Sequence, residues 1–127
     1  MGAISALCAA LSLQPTAGQL QQLAAYLDML QRWNATYNLT AVRDREAMLN
    51  QHLADCLAVV RPLLAFRSQG RVLDVGSGGG LPGVVLAVLA PSLDVSCVDT
   101  VGKKAAFIRQ VAGQLALPGL HALHARV

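Results

Sequence analysis

The residues best equipped for chemistry lie in the run Asp74-Val75-Gly76-Ser77-Gly78-Gly79-Gly80-Leu81-Pro82-Gly83. Gly76 directly follows the short apolar segment Val72 to Val75, where a chain leaving a strand must turn sharply. Gly78 and Gly80 carry no Cβ, so the backbone there can pass close to a bound ligand. Pro82 suits the first turn of a following helix, where its missing N–H costs nothing.

Two ligand registers compete for these glycines. The nicotinamide pattern G-x-G-x-x-G fails from Gly76, because its last glycine would fall on Leu81. It fits from Gly78 through Gly80 to Gly83, but the strand has then ended too early and Pro82 fills a variable slot. The pattern acid-x-G-x-G-x-G matches Asp74, Gly76, Gly78 and Gly80 with no shift. A carboxylate at a strand end repels a pyrophosphate and suits the cationic methionine end of S-adenosylmethionine. That difference of charge predicts an S-adenosyl-L-methionine site, with a nicotinamide (NAD) oxidoreductase as the alternative. A P-loop is excluded, because no G-K-[ST] follows the glycines.

Asp99 ends the next apolar segment, Val95 to Val98. Beside the first loop, its carboxylate can accept both hydroxyls of a ribose. The competing reading is a cap for the helix that follows. Acid and glycines agree in register, which favours the ligand.

Elements of a definite kind must hold these residues. Val72 to Val75, Val95 to Val98 and Leu120 to Val127 read as strands. Val84 to Ala90, ended by Pro91, and Gly102 to about Leu117 read as helices. The order is the βαβαβ half of a doubly wound α/β fold. Ahead of it, residues 1–66 read as a helical region, with 67–70 a short polar linker. Ala3 to Leu13 is an apolar helix with no basic residue before it, unlike a signal peptide. Thr16 and Gln19 form a capping-box pattern ahead of Leu20, Leu23, Leu27, Leu30 and Trp33. Asn34 to Thr40 breaks that period and reads as a loop. Asp44 then caps a second long helix, whose apolar positions Met48, Leu49, Leu53, Cys56, Leu57 and Val60 follow the α-helical period.

Composition narrows the class. Hydrophobic residues are 54% and charged residues 13% of the 127, a balance that belongs to a packed protein. No apolar run reaches the roughly 18–20 residues that span a bilayer, so no membrane association is expected. Cys8, Cys56 and Cys97 are odd in number and far apart, which opposes zinc and a disulfide framework and fits the cytoplasm. His52 and Asp55 share a helical face, with no third ligand at metal spacing. The net charge of +3 is compatible with an RNA partner. Arg43, Arg45, Lys103, Lys104 and Arg109 are candidates for phosphate contacts, each against the plainer reading of a solvated cation. Trp33 and Tyr37 are candidates for base stacking, against burial in the helical region.

Several motifs together resemble one family, the small-subunit ribosomal RNA guanine-N7 methyltransferases, also called glucose-inhibited division protein B. They are Trp33-Asn34, Tyr37-Asn38-Leu39-Thr40, Val42-Arg43-Asp44, His52-Leu53-Ala54-Asp55, the whole run from Asp74 to Gly83, Asp99-Thr100-Val101-Gly102-Lys103-Lys104, Phe107-Ile108-Arg109-Gln110-Val111 and Arg126-Val127. The resemblance implies a Rossmann-like class I methyltransferase fold in a cytoplasmic enzyme. Its reaction would be methylation of N7 of a specific guanine in the decoding-region loop of 16S rRNA or of a small ribosomal subunit precursor. It also implies cofactor contacts at Gly76, Leu81 and Val127, with Asp99 on the ribose. Guanine N7 carries a lone pair and no proton, so no general base and no catalytic residue is expected; alignment is the protein's task. Members of the family continue beyond a third strand. Residues 67–127 are therefore expected to be the first half of the cofactor domain, and residues 1–127 alone to be inactive and to aggregate, self-associate or need a partner segment. A non-catalytic RNA-binding module is the third reading.

Overall fold

The computed structural model describes residues 2–39, 44–76 and 82–126. Helix α1 (Gly2–Ala10) buries Ile4 and Cys8. Helix α2 (Ala17–Tyr37) begins at the expected capping box: the Thr16 side chain accepts from the Gln19 N–H at 3.1 Å, and Gln19 Oε1 accepts from the Thr16 N–H at 2.9 Å. Its buried stripe is Leu23, Tyr26, Leu27, Met29, Leu30 and Asn34.

The expected loop from Asn34 is a correction, because the helix continues through Tyr37. Asn34 is 1% exposed and belongs to the buried stripe. The helix stops at Asn38, whose left-handed conformation (φ 53°) and N–H bond to the Asn34 carbonyl form the C-cap. Asparagine tolerates that conformation better than most residues.

Asp44 caps the next helix as expected, with Oδ1 accepting from the Ala47 N–H at 2.8 Å. This helix is not uniform. A short α segment α3 (Arg45–Ala47) runs into a π-helical segment (Met48–Leu53) and then α4 (Ala54–Phe66). The wider π turn brings Met48 and Leu53, five positions apart, into one core; Leu49 is only half-buried. A strict α-helical period does not foresee that exchange.

The strands β1 (Gly70–Val75), β2 (Leu93–Asp99) and β3 (Leu120–His124) form a parallel sheet in the order β1-β2-β3. Helices α5 (Gly83–Leu89) and α6 (Gly102–Gln114) make the crossovers. Right-handed crossovers in this strand order put both helices on one face. Burial agrees: Leu93, Val95 and Cys97 of β2 lie inside, whereas Leu73, Val75 and Leu123 on the opposite face stay exposed. Helix α5 is apolar throughout, buried from Gly83 to Val88, because the sheet lies on one side and α2 and α4 on the other. Helix α2 also clamps the far ends of both crossover helices. Gln19 Nε2 donates to the Val88 carbonyl at 3.1 Å and Gln22 Nε2 to the Leu115 carbonyl at 2.9 Å. These carbonyls would otherwise lack a helical partner.

Candidate functional site

In a parallel doubly wound sheet, ligands bind outside the carboxyl ends of the strands. Asp74, Gly76 and Asp99 all stand at that end, on the two neighbouring strands β1 and β2. The register pairs Asp74 with Cys97 and Val75 with Val98, so Asp99 lies just beyond Asp74 on the same face of the sheet. Gly78, Gly80, Leu81 and Val127, the other residues expected to hold the cofactor, lie outside the described residues, as does Arg43.

Gly76 makes the turn. Its φ is +73°, a left-handed conformation that costs side-chain-bearing residues free energy, and its N–H donates to the Val98 carbonyl at 2.7 Å. A Cβ there would meet no described residue within 4 Å. The requirement for glycine is conformational rather than a matter of crowding by the described residues.

The two carboxylates are held alike. Asp74 Oδ2 accepts from the N–H of Gly83, the first residue of α5, at 3.0 Å. Asp99 Oδ1 accepts from the N–H of Val101, the N-cap of α6, at 2.8 Å. Each acid is thus fixed by the start of the helix that follows its own strand. Asp99 is not itself the N-cap of α6, which is Val101, but its carboxylate steadies the turn into that helix. It is 8% exposed and lines a small cavity of about 100 Å³ with Val75, Gly76, Val98, Thr100 and Ala125. An acid and a backbone glycine among apolar side chains suit a ribose on a nucleoside, so these residues fit the expected cofactor. Nearby, His124 Nε2 meets the Thr100 carbonyl at 2.9 Å, tying the end of β3 to the turn after β2.

Gly83 is a site residue that the favoured register leaves out. A Cβ on it would stand 2.5 Å from Cys97 Sγ and 2.9 Å from Asp74 Oδ2. Only glycine lets α5 start this close to β2 while donating to Asp74. Its one sequence signal is the Leu81-Pro82-Gly83 ending, which spacing alone assigns to the nicotinamide pattern.

The buried groups behind the site are neutral. Burial, and then the charges of Asp55 and Asp74, push the Cys56 thiol up to about 12. Burial chiefly, with Cys56, Cys97 and Asp74 adding to it, raises the Tyr26 phenol well above its usual 10. A protonated, buried thiol is a poor nucleophile. Among the described residues no group of three His, Cys, Asp or Glu side chains could hold a metal, and no helix is long and apolar enough to cross a membrane.

Comparison with known proteins gives this geometry its context. The family model for rRNA small subunit methyltransferase G matches residues 19–127. A curated relative from Bordetella avium (strain 197N), named Ribosomal RNA small subunit methyltransferase G, is 56% identical over 123 residues, covering 94% of this chain and 55% of the relative. Relatives of the same name from Acidovorax ebreus (strain TPSY) and Leptothrix cholodnii (strain ATCC 51168 / LMG 8142 / SP-6) are 58% and 62% identical. They match over 93% and 86% of this chain, and 57% and 51% of their own lengths. The chain thus spans about half the length of the curated relatives it matches. With the family model spanning residues 19–127 and relatives of that name more than half identical, the chain belongs to the rRNA small subunit methyltransferase G family.

Proposed function

We propose that this chain supplies the S-adenosyl-L-methionine-binding half of an enzyme that methylates N7 of a guanine in 16S rRNA, working in the cytoplasm. The supporting observation is the joint position of Asp74, Gly76 and Asp99 at the carboxyl ends of adjacent parallel strands. Asp99 holds the ribose, and Gly76, Gly78, Gly80, Leu81 and Val127 bring backbone against the cofactor. Asp74 faces its cationic end across the loop while fixing the start of α5. When bound, the cofactor supplies an electrophilic methyl group on sulfur. The protein orients donor and base and excludes water. No side chain need take a proton from guanine N7. Residues 1–66 form a helical region and 67–127 the cofactor-binding unit.

Calorimetry tests the reading. S-adenosylmethionine should bind and NAD should not. Asp99→Ala should weaken S-adenosylmethionine binding by roughly ten- to hundredfold, the loss of a charge-assisted hydrogen bond. Heat from NAD alone, or an unchanged dissociation constant in a folded Asp99→Ala protein, would overturn it.

A further inference from the structure

A second surface lies between α2 and α6, lined by none of the candidate cofactor residues. It is a groove of about 350 Å³ lined by Arg32, Trp33, Thr36, Tyr37, Gln110 and Gln114. An aromatic series leads to it from the core. Tyr26 meets Phe107 at 6.3 Å between ring centroids, Phe107 meets Trp33 at 5.4 Å, and Trp33 meets Tyr37 at 5.3 Å. Tyr26 and Phe107 are fully buried, whereas Tyr37 is 42% exposed with the Lys103 ammonium 5.4 Å from its ring centroid. The series ends in Tyr37, whose ring packs against Trp33 and keeps an exposed part that a flat ligand can reach.

Arg32 is the charged residue that lines the groove, and the Lys103 ammonium stands beside Tyr37 at its edge. Helix α6 carries Lys103, Lys104 and Arg109 and no acid. The acid of α2, Asp28, is engaged by Arg45 at 2.7 Å. Thr36, Gln110 and Gln114 add neutral groups that both donate and accept. Cations, an exposed ring and neutral amides together suit single-stranded nucleic acid, whose phosphates, base faces and base edges they match in turn. An acidic protein segment would use the cations and leave the ring idle. The groove also points at the candidate site. Its Tyr37 and Lys103 end lies at the start of α6, which follows directly on Asp99 at the carboxyl end of β2.

We infer that the α2–α6 groove binds single-stranded RNA, stacking a base on Tyr37 and leading the strand toward the Asp99 end of the sheet. The inference rests on the reading of the protein as an RNA-modifying enzyme, and it adds a contact surface outside the cofactor site.

The test is fluorescence anisotropy with a labelled single-stranded RNA oligonucleotide of mixed sequence, using the whole chain, its folding checked by circular dichroism. Tyr37→Ala should weaken binding roughly 5- to 150-fold, the usual range for losing one stacked base. Tyr37→Phe, which keeps the ring, should bind like the parent. Arg32→Gln, an exposed change that does not threaten the fold, should lower the slope of log affinity against log salt by about 0.7. Calorimetric S-adenosylmethionine binding should be unaltered in all three. Parent-like RNA binding by both Tyr37→Ala and Arg32→Gln would overturn the inference. So would an equal loss of poly-glutamate binding in Tyr37→Ala, which would mean a protein-type partner. A parent that binds S-adenosylmethionine and no RNA sinks this inference alone. A parent that binds RNA through Tyr37 and no S-adenosylmethionine sinks the proposed function and leaves the groove standing.

Discussion

The two faces of the sheet are built from the same strands and differ sharply. On the helix side, Val95 and Cys97 are 0% and 2% exposed, and Phe107 of α6 is fully buried. On the other side Leu73, Val75 and Leu123 are about half exposed (57%, 56% and 48%). Strand alternation sends Leu73 and Val75 one way and Asp74 the other. Asp74 and Cys97 thus belong to the packed side, where their positions are set by contact with α5. The lesson is that the two acids are held from behind, by the starts of the helices, while Val75 of the open face lines the cavity beside Asp99.

The strongest way to break this comparison is to empty the packed side. Phe107→Ala removes the ring between Tyr26 and Trp33 and should cost about 3–5 kcal/mol in urea unfolding. A cost near zero would mean that the helical layer does not hold the sheet. Gly83→Val forces side-chain atoms against Cys97 and Asp74. It should destabilise by roughly 1–3 kcal/mol through overpacking and also reduce S-adenosylmethionine binding by displacing the Asp74 carboxylate. Unchanged melting and unchanged calorimetry in this variant would show that α5 can move away freely. Gly76→Ala, at the rim between the two faces, meets no described residue with its methyl group and should cost about 1–2 kcal/mol for its left-handed backbone. The smallest effect belongs to the open face. Leu73→Lys should change stability by no more than about 0.5 kcal/mol, and a loss as large as that of Phe107→Ala would erase the difference between the faces.

Local signals in the chain are strong where one residue type answers one geometric need. Thr16 with Gln19, Asp44 before Arg45, and Gly76 after Val75 each announce an element boundary, because capping and left-handed turns are satisfied within a few residues. They fail where a distant contact decides. Asn34 looks like a helix breaker and is buried in α2, since packing against the core outweighs its weak helical preference. The π turn from Met48 to Leu53 exchanges a regular period for a better fit of two core side chains.

The same division runs through the candidate site. Sequence alone determined the parallel βαβαβ order and the places of Asp74 and Asp99 near the ends of neighbouring strands, because these depend on spacing along one chain. Tertiary structure decided what each acid holds, namely Gly83 and Val101, and why residue 83 must be glycine. It also decided that Tyr37 emerges beside Lys103 at the end of an aromatic series. Those facts depend on how closely α5 approaches β2 and how α6 lies on α2, distances set by the packing of side chains far apart in sequence, which no local pattern encodes.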